Sequence, residues 1–332
     1  AASDVYKRQR DYRCYGEPIN ITKILTDAGA QKIINLSASP WTFMKNNARD
    51  RRVKYLKEKS NNFVKFYYVN CVGVQNNGKN IITFDGGSTV YNENGDPCIL
   101  SKNGWEEDLL IIDKNTSFKP KSRQIGNTIR EKYMAIYYGL KGSKNILGKD
   151  PKFVVGLSGG IDSSLVATLL VLAFGKENVV GVNMPSKYNS PKTKESAKTL
   201  AHNLGIEYLV MPIENMVNAN SSLLESDDKP LSEFNLENVQ AKIRGTSILS
   251  NLAAKYRAFF TNNGNKVEIA LGYATLYGDW GGAIAPIGDL TKTEVVEMCQ
   301  FINKDIFGKE IIPDQLFPDS LWRFDKGQIE PT

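Results

Sequence analysis

Phe153-Val154-Val155-Gly156-Leu157-Ser158-Gly159-Gly160-Ile161-Asp162-Ser163-Ser164-Leu165 is the stretch from which the rest of the chain is best read. An apolar, β-branched run enters a Ser/Gly turn, and the turn opens directly into a helix. Two consecutive glycines let the main chain come close to a ligand and aim successive N–H groups into one hollow. The helix N-terminus adds partial positive charge, and Ser158, Ser163 and Ser164 add hydroxyls around the same space. A pyrophosphate fits that arrangement. A plain helix cap needs no such ordered run of serines and glycines behind a strand. Because no Lys follows the glycines, the Walker loop is excluded, and the dinucleotide pattern G-x-G-x-x-G is absent too.

On either side of this loop the pattern alternates. A long helix is expected from Ser122 to about Leu140, followed by strand Phe153–Leu157, helix Ser163–Phe174, strand Val179–Met184, helix Thr193–Leu204 and strand Glu207–Val210. A long helix over Glu237–Thr261, an apolar stretch Val267–Leu271 and a helix over Thr293–Ile302 complete it. Strands separated by helices of this length imply βαβ units, hence an α/β fold with a doubly wound parallel sheet. The earlier part reads differently, with strands at Lys32–Leu36, Val64–Val72, Asn80–Phe84 and Asp108–Ile112 and helices at Ile19–Ala30 and Asn46–Asn61. Polar Asn115–Lys121, which holds Pro120, reads as the linker between the two.

Composition removes several function classes. The formal net charge of +6 is spread along 332 residues without a Lys/Arg block, so nucleic acid is not required and a phosphate-rich small substrate explains the excess equally well. No apolar run is long enough to span a bilayer, and no secretory pattern opens the chain. Cys14, Cys71, Cys98 and Cys299 lie far apart with no C-x-x-C pair, which argues against a zinc site or a disulfide framework and points to a reducing cytoplasm. The single histidine, His202, sits in a helical stretch as a solvated residue; a Ser–His–Asp hydrolase would have to use it. Ala1–Gln9 resembles a translated sequencing adaptor, so residues 1–10 are set aside as a probable scar.

Ser158-Gly159-Gly160-Ile161-Asp162-Ser163 resembles the S-G-G-x-D-S signature of the ATP pyrophosphatase (PP-loop) superfamily, whose sheet is of the adenine nucleotide alpha hydrolase type. Further stretches are similar to NAD synthases: Glu237-Asn238-Val239-Gln240-Ala241-Lys242-Ile243-Arg244, Gly264-Asn265-Lys266-Val267-Glu268, Gly272-Tyr273-Ala274-Thr275-Leu276-Tyr277-Gly278-Asp279, and Pro286-Ile287-Gly288-Asp289-Leu290-Thr291-Lys292-Thr293. They follow the family's order across 122–332. The resemblance implies amidation of deamido-NAD with Mg²⁺ and ATP through an adenylated intermediate, nitrogen coming from glutamine or ammonia. Residue by residue, it implies that Gly156, Ser158, Gly159, Gly160, Asp162, Ser163, Ser164, Asn263, Lys292 and Thr332 hold ATP. It makes Asp162 and Glu268 the Mg²⁺ ligands, and Lys292 with Asp162 the catalytic pair, Lys292 neutralising charge on the α-phosphoryl group. Asn238, Lys242, Arg244, Tyr277 and Asp279 would face the dinucleotide. A homo-oligomer, dimeric or larger, is also implied. Lys242 departs from the family's usual Arg, Asn263 from a frequent Thr, and Leu276 and Ala283 from the Lys and Asp of ammonia-only relatives. The domain is expected to be cut short at Thr332.

Ala28-Gly29-Ala30 before Lys32–Pro40, with Phe84-Asp85-Gly86-Gly87-Ser88, resembles the C-terminal part of a nitrilase-like glutaminase, expected over 11–118. Such amidases use Glu, Lys and a Cys nucleophile. Cys14 is the available candidate. Asp11-Tyr12-Arg13 looks like the tail of the nucleophile motif, however, which would put the lost Cys under Gln9 and leave the glutaminase inactive. Other readings stay open: a GMP or asparagine synthetase type, a tRNA-modifying enzyme with the same loop, or a fragment that binds nucleotide without turnover.

Overall fold

The computed structural model describes residues 20–76, 81–101, 104–123, 128–187, 189–224, 231–317, 322–325 and 328–331. The chain divides into two compact units, Ala1–Ser143 and Lys144–Thr332.

In the first unit, α1 (Ile21–Asp27) leads into β1 (Lys32–Ser37), then α2 (Lys45–Glu58), β2 (Lys65–Asn70), the hairpin β3 (Val72–Asn76)–β4 (Ile81–Asp85), β5 (Thr89–Tyr91) and β6 (Pro97–Leu100). The sheet order is β1-β2-β5-β6, with β1 and β2 parallel and the later pairs antiparallel. Ile33, Val53, Leu56, Phe63, Phe66, Tyr68 and Tyr91 form the core. The expected strand Val64–Val72 is broken at Cys71, and β5 and β6, too short to show a periodic pattern, were not legible. Asp108–Ile112 is not a strand: it joins no sheet among the described residues, and Leu109 and Ile111 are each 81% exposed. Its apolar run imitates a buried strand, and only a neighbouring strand edge can turn such a run into one. Helix α3 (Thr128–Gly142) packs on the β3–β4 hairpin, where Gly142 leaves room for the Val74 methyl. That helix groups with the first unit, whereas the sequence pattern placed it with the second.

The second unit starts at α4 (Lys144–Leu147) and alternates through β7 (Phe153–Gly156), α5 (Ile161–Phe174), β8 (Val179–Asn183), α6 (Pro191–Leu204) and β9 (Glu207–Val210), then continues in α7 (Glu214–Leu224) and α8 (Glu233–Lys242). The expected helix Glu237–Thr261 does not run through. It widens into π geometry over Ile243–Leu249, resumes as α9 (Ser250–Tyr256) and stops at Arg257, whose φ is +50°. Phe259–Phe260 then forms β10. The β-branched and aromatic end of the stretch pairs with β7 instead of adding another turn.

The four strands of the main sheet are parallel, in the order β10-β7-β8-β9, and Trp322–Asp325 with Gln328–Pro331 forms a separate antiparallel pair. The chain builds away from β7 through β8 and β9, then returns to the other side of β7 as β10. Between β7 and β10 the direction of winding reverses, which is where an open α/β sheet leaves a crevice beyond the carboxyl ends of its strands. Helix α5 is buried almost all round, as its uniformly apolar sequence requires. Val154, Val180, Val182, Met184, Ile213, Ile243, Leu249 and Leu252 fill the core. Helices α10 (Lys266–Leu271) and α11 (Lys292–Phe301) follow β10. Among the described residues, no helix is long and apolar enough to cross a membrane.

Candidate active site

The crevice is floored by the loop that joins β7 to α5. Gly159 has φ +83°, and a Cβ there would collide with the Thr193 carbonyl of α6, so only glycine closes this turn. Gly160 is the N-cap of α5, with φ −95°, and no side chain caps the helix. The first-turn N–H groups of a fourteen-residue helix therefore face the crevice without an intrahelical partner. That is the electrostatic requirement of an anion site. The serines divide their work in a way the sequence did not reveal. Ser163 and Ser164 are buried and donate back to the Gly160 carbonyl, at 3.1 and 2.8 Å. Such back-bonding is the local habit of a helical serine. Ser158 is exposed; its Oγ accepts from Gly160 N at 3.2 Å and lies 3.1 Å from Ser163 Oγ. Ser163 and Ser164 brace the loop, and Ser158 faces the hollow.

Asp162, in the first turn of α5, pairs through Oδ2 with Lys292 Nζ at 2.5 Å, the two side chains being 19% and 12% exposed. Its Oδ1 accepts from Asn265 Nδ2 at 3.3 Å. Asn265 also opens α10 with a capping box: its Oδ1 accepts from Val267 N and Glu268 N, and its own N–H donates to Glu268 Oε2 at 2.9 Å. A second capping box, Thr291 with Glu294, starts α11 and puts Lys292 at its first residue. Burial pushes the Glu268 carboxyl above its usual range, partly offset by the Asn265 N–H; the neighbouring Asp162 raises it further. Two carboxylates thus meet around one asparagine, and Lys292 pairs with one of them, Asp162. Among the described residues no cage of three or more His, Cys, Asp or Glu side chains exists. A hard divalent cation shared with phosphate oxygens needs no more than one or two carboxylates, so these residues fit Mg²⁺ brought in with a nucleotide.

The expected dinucleotide contacts occupy one neighbouring region. Asn238, on α8, accepts from the Thr275 hydroxyl at 2.7 Å, and Asp279 accepts from Thr275 N at 2.7 Å. The 272–283 loop lies directly on α8 and the π segment, where Gly245 and Gly278 leave no room for a Cβ. Arg244 is partly buried and donates through Nε to Met184 O at 3.2 Å, at the end of β8. Burial lowers its pKa, against the opposing pull of Asp279, whose charge Glu268 also feels. Asp279 therefore links the dinucleotide set to the carboxylate pair. Lys242 is exposed, and Tyr277, at φ +62°, is 79% exposed. Asn263 donates to Gly156 O at 2.9 Å and accepts from the Thr261 hydroxyl at 2.8 Å. Its amide ties β7 to the strand beside it rather than standing free for ATP. Thr332 and Cys14 lie outside the described residues. His202 is exposed on α6, as read from the sequence.

The family model described as NAD synthase matches residues 143–319, a run that takes in α4 through α11. The chain belongs to the NAD synthase family. It is 35% identical to a glutamine-dependent NAD(+) synthetase of Synechocystis sp. over 94% of this chain and 54% of the relative. It is 42% identical to an NH(3)-dependent NAD(+) synthetase of Methanocaldococcus jannaschii over 48% of this chain and 60% of the relative. Among solved structures it resembles the glutamine-dependent NAD+ synthetase of Acinetobacter baumannii in complex with ADP. The TM-score is 0.79 at 30% identity, over 90% of this chain and 56% of that one. The chain spans about half the length of the glutamine-dependent relatives it matches. For an NAD synthase, the family resemblance in the loop and in the Glu268 and Lys292 motifs pointed to groups the fold gathers at one crevice. Asn265 was missed as a functional residue. It lies inside the quoted stretch Gly264–Glu268 but was given no role; its local signal is the N-x-x-E capping pattern with Glu268.

Proposed function

We propose that this chain amidates deamido-NAD to NAD, with Mg²⁺ and ATP, through an adenylated intermediate. The observation that carries the reading is the uncapped N-terminus of α5 beside the Asp162–Lys292–Asn265–Glu268 cluster. The loop N–H groups and the Ser158 hydroxyl grip the β,γ-phosphates. Asp162 and Glu268 hold the cation. When bound, it supplies charge neutralisation to the leaving pyrophosphate. Asn238, Lys242, Arg244, Tyr277 and Asp279 orient deamido-NAD so that its nicotinate carboxylate oxygen attacks the α-phosphorus. Lys292 offsets the charge that builds there. Pyrophosphate leaves, ammonia attacks the acyl carbon, and AMP departs.

The first unit is read as part of a nitrilase-like glutaminase that supplies the ammonia from glutamine in the family's two-domain members. The enzyme is read as a cytoplasmic homo-oligomer. Cys71, Cys98 and Cys299 being free agrees with a reducing compartment.

The test is AMP and pyrophosphate release with ammonium, comparing deamido-NAD, xanthosine monophosphate and aspartate. Turnover with deamido-NAD alone is expected. Turnover with either competitor and none with deamido-NAD overturns the reading, and ATP binding without turnover favours a nucleotide-binding fragment. In a parallel arm, glutamate release from glutamine reports on the first unit and is expected to stay at background.

A further inference from the structure

We infer that Asn265 is a positioning residue that sets the separation of Asp162 and Glu268, and so the affinity of the site for a divalent cation. The inference rests on the reading of those two carboxylates as the cation's ligands. Asn265 is 1% exposed, and four of its hydrogen bonds reach two segments of chain, the start of its own helix and the first turn of α5. Two of them, from Val267 N and Glu268 N to its Oδ1, cap α10. Any good N-cap side chain makes that kind of bond. The other two are different. The side-chain amide reaches 103 positions back to Asp162 Oδ1, and the main-chain N–H holds Glu268 Oε2.

One residue thus grips both carboxylates, and the grip is directional. An amide is both acceptor and donor, so Asn265 can cap its helix and tether Asp162 at once. A hydroxyl caps as well, but it is too short and has too few donors to do both. The tether also counters a repulsion. Two carboxylates brought together without a cation push each other apart. Lys292 neutralises Asp162 from the other side. Asn265 supplies no charge; what it supplies is position. Without it, the cation must pull Asp162 and Glu268 together at the moment of binding, and that reorganisation weakens affinity.

The experiment is a Mn²⁺ titration followed by the EPR signal of the free ion, on the ATP-saturated chain, with ATP binding in EDTA and thermal unfolding measured beside it. In Asn265→Ser the cap survives, so Tm and metal-free ATP binding stay close to the parent. Mn²⁺ affinity is expected to fall about tenfold, the size of a charge-assisted hydrogen bond. Should that variant not fold, Asn265→Thr carries the same expectation. Asp162→Asn and Glu268→Gln serve as references and should each lose more than Asn265→Ser. Parent-like Mn²⁺ affinity in the Ser and Thr variants, with both references impaired, overturns the role of Asn265 and leaves the carboxylate reading standing. Parent-like affinity in the two references sinks that reading, and this inference with it.

Discussion

Each unit of the chain holds an aspartate next to two glycines and paired with a cation, and the two differ in what they leave unused. In the first unit Asp85, followed by Gly86 and Gly87, meets Arg49 at 3.4 Å, with side chains 4% and 9% exposed. Asn46 donates to Asp85 Oδ2, Arg49 donates to Asn46 Oδ1 and Ser39 O, and the guanidinium lies 4.9 Å from the Tyr68 ring centroid. In the second unit Asp162, preceded by Gly159 and Gly160, meets Lys292. There a second carboxylate, Glu268, makes no ion pair of its own among the described residues, and a helix N-terminus is left without a side-chain cap. The first arrangement sets its two charges against each other, as a buried pair that holds structure does, although the buried Arg49 Nε and Tyr68 hydroxyl have no hydrogen-bond partner among the described residues. The second keeps spare capacity of both signs, which a nucleotide with its cation can use. Spare capacity, rather than the presence of an acid, a base and glycines, separates a site from a brace.

The strongest way to break this contrast is to cut both pairs. Lys292→Met is expected to lower synthetase turnover with ammonium at least 100-fold while the second unit stays folded, since a fixed cation acts on the transition state. Arg49→Met should leave that turnover within twofold. It should destabilise the first unit by about 3 kcal/mol, because Asp85 is left buried and unpaired. Steady-state kinetics and denaturant unfolding of both variants check this, and the reverse pattern would erase the distinction. Next in size, Gly159→Ala meets both the φ of +83° and the Thr193 carbonyl. ATP binding, measured by calorimetry, should weaken at least tenfold, with stability falling by a few kcal/mol. The smallest effect belongs to Thr291→Ala. It removes one half of the capping box before Lys292 and should cost about 1 kcal/mol of stability. A fall of a few-fold in turnover is expected, through the position of Lys292 and not its charge.

Much of the site was legible because its parts are local. The strand–turn–helix of the loop is written within a few residues, where propensity and hydrogen bonding act directly, whereas the capping boxes at Asn265 and Thr291, just as local, were not read. Errors came where the neighbour decides. Asp108–Ile112 reads as a strand but has no edge to join, and the helix expected to Thr261 gives up its last residues to β7. Ser163 and Ser164 were read as ligand hydroxyls, yet both turn inward to the Gly160 carbonyl, since a helical side chain reaches its own preceding turn first.

The order of residues by itself determined the α/β class of the second unit and the strand–turn–helix of its loop, because both depend on interactions between near neighbours; Glu268 and Lys292 were named through the family resemblance. Only the tertiary structure decided which of those groups are free. Lys292 and Asn265 come to Asp162 from 130 and 103 positions away. Their meeting depends on β10 returning to the far side of β7 and carrying α10 and α11 to the mouth of the loop. A contact across that distance is set by how the sheet winds, and no local pattern in the chain records it.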